Sequence, residues 1–190
     1  KAKSSHLPFL NGECASCHSP HAAQNKGLLV NSEKNLCWEC HDDFTKTALA
    51  KVKHTPVENG ECSSCHKPHS SMNKFLLTAS GKALCAECHD EPKPKPKFAH
   101  QPWENGDCLS CHDPHVSKEK GLVLKSGKAL CGECHDEPAQ KPRFVHQPFA
   151  NGECTACHAP HFSQNQGLLL KSGKALCLEC HDEPKDTPAV

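Results

Sequence analysis

The sequence predicts an elongated array of four tandem repeats, mostly coil with short α-helices and almost no β-sheet. Three observations predict it: near-literal self-similarity, sixteen cysteines in one recurring pattern, and connectors rich in proline. The 190 residues are 36% hydrophobic, and that figure already includes the cysteines. Because an ordinary globular domain has roughly 45–50% apolar residues, something other than protein must fill the interior.

The repeat opens with the block His-x-Pro-(apolar)-x-Asn-Gly-(Glu/Asp)-Cys, which starts at His6, His54, His100 and His146. Successive starts differ by 48, 46 and 46 residues. A fixed period of this length is typical of arrays in which each unit packs on its neighbours. We therefore predict four repeats with the boundaries 1–53, 54–99, 100–145 and 146–190.

Local signals predict short elements inside each repeat. Asn-Gly before the first cysteine marks a turn, and the prolines at 20, 68, 114 and 160 limit the helix at the first cysteine pair to about one turn. The segment from Ser80 to Leu84 and its equivalents allow a helix of about two or three turns at the second pair. The connector Glu91-Pro92-Lys93-Pro94-Lys95-Pro96 favours extended chain.

Composition excludes several classes of protein. Lys+Arg (22) balances Asp+Glu (22) without a basic run, so there is no footprint for nucleic acid. The longest aliphatic runs are triplets such as Leu168-Leu169-Leu170, so no segment can span a membrane.

Every cysteine belongs to a Cys-x-x-Cys pair that is followed directly by histidine, the attachment signature of c-type haem. Two sulfurs one turn apart can bond the two vinyl groups, and the next residue brings its imidazole under the iron. The sequence therefore predicts eight covalently attached haem c groups. The cysteines are Cys14, Cys17, Cys37, Cys40, Cys62, Cys65, Cys85, Cys88, Cys108, Cys111, Cys131, Cys134, Cys154, Cys157, Cys177 and Cys180, and the histidines are His18, His41, His66, His89, His112, His135, His158 and His181.

Structural zinc is the main alternative, because Cys17 and Cys37 have 19 residues between them, a spacing that zinc-binding pairs use. Zinc would explain the cysteines but not a histidine after all eight pairs, nor the missing apolar core. Redox-active disulfides would likewise leave sixteen histidines without a role. Haem explains all three observations.

Eight further histidines occur at two fixed positions in every repeat, which gives one for each predicted iron. We therefore predict that all eight haems have bis-histidine iron. The second set of iron ligands is His6, His21, His54, His69, His100, His115, His146 and His161.

Sequence distance constrains which histidine serves which iron. His21 lies three residues after His18, so it cannot reach the opposite face of the same haem, and the simplest alternative is the second haem of its own repeat. The same holds for His69, His115 and His161. The histidines that open the repeats would then serve their own first haem, or a haem across a repeat or subunit boundary.

The sequence resembles the doubled Cys-x-x-Cys-His multihaem cytochromes c over essentially its whole length. The most specific stretch is Cys14-Ala15-Ser16-Cys17-His18-Ser19-Pro20-His21. The resemblance implies a multihaem cytochrome c fold in which each repeat is a di-haem unit with a stacked pair of bis-histidine haems. It also implies electron transfer, since the family includes periplasmic carriers and subunits of extracellular cytochrome filaments.

We expect a conductor of electrons and not an enzyme, because eight closed irons leave no site for a substrate. The chain also lacks tyrosine and any Cys-x-x-Cys-Lys motif, features that multihaem reductases and oxidoreductases use. A multihaem reductase is therefore the less favoured reading. Two histidine ligands predict low potentials, since methionine is the ligand that raises them.

We also expect export, because haem is attached to c-type proteins outside the cytoplasmic membrane. The expected location is extracellular or at the cell surface, with the periplasm as the alternative, and the partners are redox proteins or extracellular acceptors. If each opening histidine served the preceding repeat, His6 of a neighbouring subunit would complete the last one. That contact would give a head-to-tail homopolymer, a filament, and the alternative is a soluble periplasmic shuttle.

Overall fold

The computed structural model describes residues 2–136 and 142–183. The chain folds into two compact units, one made of Lys1–Asp90 with Gly106–Leu124, the other of Glu91–Asn105 with Lys125–Val190. The predicted boundaries of the four repeats stay a prediction. Residues 137–141 and 184–190 of the third and fourth predicted repeats lie outside the described residues.

Short helices occur at the same places in successive repeats. A helix of four or five residues follows each opening histidine. Prolines in the first turn of these helices include Pro8, Pro56 and Pro148. These helices are α1 (Leu7–Leu10), α3 (Thr55–Asn59), α5 (Gln101–Asn105) and α7 (Gln147–Ala150). A second set leads into the second cysteine pair: α2 (Glu33–Trp38), α4 (Lys82–Cys85), α6 (Lys128–Cys131) and α8 (Lys174–Cys177).

The helices at the second cysteine pair are shorter than the two or three turns that we expected. Three of them have four residues, little more than one turn. The reason is the glycine before each one: Gly81 has φ 56° and ψ −139°, which is not helical, so the helix cannot begin earlier. At the first pair, the expected single turn is confirmed as three-residue 3-10 helices.

In the described residues, six two-residue strands join different repeats. They are β1 (Ser4–Ser5), β2 (Val52–Lys53), β3 (Ser70–Ser71), β4 (Phe98–Ala99), β5 (Val116–Ser117) and β6 (Phe162–Ser163). β1 pairs with β3 and β2 with β5 in the first unit, and β4 pairs with β6 in the second, all antiparallel. In each ladder, the strand before an opening histidine therefore pairs with the strand after the first motif of the following repeat.

A left-handed turn recurs nine residues after the histidine of each first motif. In the first repeat, Gly27 has φ 72° and Leu28 has φ 56°. Glycine adopts this conformation freely, and the third and fourth repeats use Gly121 and Gly167 at the same place. The second repeat has Phe75 there, with φ 56°.

Side chains of the protein form almost no apolar core. Val116 is the one buried hydrophobic residue among those described, at 8% exposure. Large apolar side chains such as Phe75 and Leu28 remain exposed at 78% and 46%. The predicted fold class is confirmed: the described residues form short helices joined by coil, with little strand, in tandem repeats. In the described residues, no helix is both long and apolar enough to cross a bilayer.

Candidate functional site

The first motif of each repeat folds around a 3-10 turn that directs its histidine. In the first repeat, the His18 amide donates to the Cys14 carbonyl at 2.9 Å, which closes the turn between the two cysteines. The His18 Nδ1 atom lies 2.8 Å from the Gly27 carbonyl oxygen in the left-handed turn. Such a bond makes Nδ1 the protonated nitrogen, so Nε2 is left as the free ligand atom. The same contact holds His66, His112 and His158 at 2.8–2.9 Å.

The second motif presents its histidine at the end of a short helix. The His41 amide donates to the Cys37 carbonyl at 3.0 Å, and His89 does the same to Cys85 at 2.9 Å. Within the described residues, no hydrogen bond reaches Nδ1 of the second-motif histidines. The two motifs of a repeat thus hold their histidines differently.

Histidine rings face one another in pairs throughout the first unit. His6 faces His41 with ring centroids 6.0 Å apart and an interplanar angle of 18°, and His54 faces His89 at 6.0 Å and 16°. A second kind of pair joins successive repeats. His18 faces His69 at 6.0 Å, and His66 faces His115 at 6.2 Å.

Among its described residues, the second unit contains two pairs of the first kind. His100 faces His135 at 5.9 Å, and His146 faces His181 at 6.0 Å. In both units, therefore, the histidine that opens a repeat lies opposite the second-motif histidine of its own repeat.

This arrangement reverses the expected assignment. We expected His69 and His115 to serve the second haem of their own repeats, but each lies opposite the first-motif histidine of the preceding repeat. The opening histidines, which were expected to serve a first haem or another repeat, face the second motif instead. Accordingly, His6 has a ring opposite it within its own repeat and is not left for a neighbouring subunit.

The separation of the rings fits an iron between them. Two metal–nitrogen bonds of about 2 Å each, with half of each imidazole ring added, give centroids about 6 Å apart. The ring pairs lie at 5.9–6.2 Å. His115 also suits the role chemically, because burial lowers its pKa and favours the neutral imidazole that binds metal.

Consecutive sites in the first unit are in contact. The His6 amide donates to the His69 carbonyl at 2.8 Å, which joins the two sites of the first repeat through one ladder. Cys37 lies against Cys62, the first cysteine of the next motif, and before haem is attached, burial together with this neighbour raises the pKa of the Cys37 thiol to about 12. His54 to His115 (2.9 Å) and Cys85 to Cys108 repeat the two contacts further along.

The space beside these sites can receive a large cofactor. In the second unit, a cavity of about 450 Å³ is lined by Cys131 and His135 of one motif and by Cys154 of the next. This volume lies within the range of small-molecule sites. Two buried polar atoms, Trp38 Nε1 and Thr78 Oγ1, have no hydrogen-bond partner among the described residues. Both groups could donate a hydrogen bond to a carboxylate of the cofactor.

Sequence reasoning missed two aromatic residues that support the second set of histidines. Phe9 lies 5.0 Å from the His69 ring, and Phe44 lies 4.9 Å from the His115 ring, measured between centroids. Trp38 packs edge-on against Phe44 at 4.9 Å. Phe44 stands in the longer first connector, and that departure from the repeat was the signal that could have found it.

In the part of the chain that the structure describes, no disulfide bond joins the motif cysteines, and no three or more His, Cys, Asp or Glu side chains gather as a metal cluster. Attachment motifs beside facing histidine rings define a c-type cytochrome with several haems. The comparison with protein families agrees, since the family described as "Doubled CXXCH motif" matches residues 6–46, 54–94, 100–140 and 146–186. The chain belongs to this family. No curated protein matches the chain.

Membership makes this chain a multihaem c-type cytochrome of electron transfer, with haem c bound covalently at its Cys-x-x-Cys-His motifs. Bound haem supplies iron that cycles between two oxidation states. The motif cysteines would anchor each haem and the motif histidines would hold one side of its iron. Multihaem c-type cytochromes are exported proteins.

Proposed function

We propose that the chain conducts electrons along a continuous row of bis-histidine haems and is not an enzyme. The observation that carries this proposal is the set of facing histidine rings, which among the described residues includes four pairs in the first unit and two in the second. An iron with a histidine on both sides has no free position for a substrate, so its remaining chemistry is the gain and loss of one electron.

Contact between consecutive sites supports conduction. Each site of the first unit touches the next through a histidine backbone contact or a cysteine pair, so neighbouring haems would lie close together. About 24 residues per haem (190/8) are too few to wrap each cofactor separately. Short gaps between haems favour rapid electron transfer along the row.

Electron paramagnetic resonance of the oxidised, assembled holoprotein tests the ligation, and carbon monoxide binding to its reduced form tests access to the irons. The expected result is low-spin iron throughout and no rapid binding of carbon monoxide, cyanide or nitrite. Rapid binding of nitrite with turnover would overturn the proposal and indicate a multihaem reductase.

The proposal includes assembly: copies of the chain join head to tail into an extracellular filament, which passes electrons to redox proteins or to acceptors outside the cell. Successive repeats within the chain associate through the same ladders. The same contacts between copies would give a filament, which supports the proposal. Electron micrographs and sedimentation at high concentration test it. Filaments are expected, and a monodisperse monomer would instead indicate a soluble periplasmic shuttle.

A further inference from the structure

Successive repeats join through three recurring contacts, and each contact has two different halves. A strand before an opening histidine pairs with a strand after the next first motif. A first-motif histidine faces the spare histidine of the following repeat. The start of a second-motif helix packs on the Asn-Gly turn that follows: an added Cβ on Gly106 would lie 2.7 Å from the Lys82 Cβ.

In the first repeat, the residues that would form one side of each of these contacts are left without a partner repeat among the described residues. We name these residues the leading surface. Gly12 is exposed and a Cβ there would meet nothing within 4 Å, whereas its equivalents Gly60, Gly106 and Gly152 are buried against lysines. Cys14 is exposed, while the equivalent cysteines are half-buried. The leading surface consists of Gly12, Cys14, His21, Ala22 and Ala23.

The strand position of the leading surface is also unpaired. Ala22 and Ala23 correspond to the strand residues Ser70 and Ser71 of the second repeat. The equivalents of Ala23 in the second and third repeats, Ser71 and Ser117, are only 4% and 6% exposed. Ala22 is exposed, and neither alanine belongs to a strand. His21 is exposed as well, and no histidine ring lies opposite it within the described residues.

At the fourth repeat, the residues that would form the other side of each contact are exposed. We name these residues the trailing surface. Phe144 and Val145, at the place of β1, β2 and β4, are 83% and 46% exposed and unpaired. Cys177 is exposed, whereas Cys37, Cys85 and Cys131 are half-buried. No histidine ring lies opposite His158 among the residues described. The trailing surface consists of Phe144, Val145, His158, Lys174 and Cys177.

We infer that a second copy of this chain docks its leading surface on the trailing surface, with its His21 closing the iron site at His158. The inference rests on the proposed function, since it supplies the contact by which copies would join. Ala22–Ala23 of one copy would pair with Phe144–Val145 of the other in the register of Ser70–Ser71 with Ser4–Ser5. Because the two surfaces are different patches, the contact is heterologous and leaves a new leading or trailing surface on every added copy.

The inference is tested by His21→Ala and its matched control His69→Ala, each prepared as holoprotein with eight haems checked by mass. Both should show one high-spin haem in eight, detected by electron paramagnetic resonance and by carbon monoxide binding. Only His21→Ala should lose assembly in sedimentation and micrographs, because His69 closes a site inside its own chain.

A second pair of variants leaves every histidine in place. Ala23→Arg puts a long charged side chain at a position whose equivalents Ser71 and Ser117 are buried in the paired state, so assembly should be lost. Gln24→Arg is the control, because its equivalent Met72 stays 59% exposed beside the ladder, and it should assemble normally. The unassembled Ala23→Arg protein should also show one open iron in eight.

The outcomes separate this inference from the proposed filament. If the unchanged protein forms filaments and His21→Ala or Ala23→Arg forms them equally well with all irons low-spin, the docking inference is wrong and the filament stands. If the unchanged protein stays monomeric at every concentration, the filament itself is wrong.

Discussion

The Nδ1 atom of His66 lies 2.9 Å from the Phe75 carbonyl oxygen, and Phe75 takes a left-handed backbone conformation, φ 56°, to place that oxygen there. The equivalent carbonyls in the other repeats belong to glycines: Gly27, Gly121 and Gly167. The left-handed conformation costs a residue with a side chain roughly 1–2 kcal/mol. The second repeat keeps the turn despite this cost, so the turn belongs to the haem site.

Gly121→Ala should lower the free energy of unfolding by about 1 kcal/mol. A Cβ at Gly121 would meet nothing within 4 Å, so the loss comes from backbone strain alone. Denaturant titration followed by circular dichroism measures it. The reciprocal change Phe75→Gly should be neutral or slightly stabilising, since relief of strain outweighs the flexibility that glycine adds to the unfolded chain. Equal stability of Gly121→Ala and the unchanged protein would show that the turn is not strained.

The two motifs of each repeat should give two groups of haem potentials. Nδ1 of each first-motif histidine meets a carbonyl at 2.8–2.9 Å, whereas the described residues offer no such bond to the second-motif histidines. A hydrogen bond at Nδ1 makes the imidazole a stronger donor and stabilises oxidised iron. We therefore expect lower potentials at the first motifs, measured by following individual haems in NMR spectra at intermediate potentials. A reversed order would contradict this explanation.

Among the haems of the second motifs, the haem at His89 should have the lowest potential. Its facing histidine, His54, has Nδ1 at 3.0 Å from the Pro114 carbonyl oxygen, a contact that no other opening histidine makes within the described residues. The same NMR titration places this haem relative to those at His41 and His135. A potential at or above theirs would mean that this bond has no effect on the iron.

Gly106→Ala and Gly12→Ala should differ strongly although both glycines have positive φ, 80° and 73°. The Cβ on Gly106 would lie 2.7 Å from the Lys82 Cβ, so the packing between repeats must open. Overpacking of this kind costs about 1–3 kcal/mol beyond the backbone strain that both variants share. Thermal unfolding of unassembled protein measures the difference. Equal losses would show that Lys82 moves aside freely.

Much of the site follows from the sequence because it is local. A cysteine pair and its histidine lie within one turn, so eight attachment motifs can be read without a fold. The sequence does not reveal which rings face each other, because His18 and His69 are 51 residues apart and meet through a backbone ladder between Ser4–Ser5 and Ser70–Ser71. Two-residue strands carry no periodicity that a sequence reveals. Reach along the chain was therefore the wrong guide to the pairing.

His54→Met should raise the potential of one haem in eight while leaving its iron closed. His54 faces His89 at 6.0 Å, so a methionine there would replace one of two histidine ligands, and methionine stabilises reduced iron. We expect a rise on the order of 0.1 V, part of the roughly 0.8 V that axial ligands span. The change is best made in a Met72→Leu background, where the introduced methionine is the one methionine of the chain. Redox titration and the charge-transfer band of methionine-ligated oxidised haem report the result. Because the raised haem stands inside the row, electrons should be trapped there and conduction should fall. An unchanged titration would show that His54 does not ligate the iron at His89.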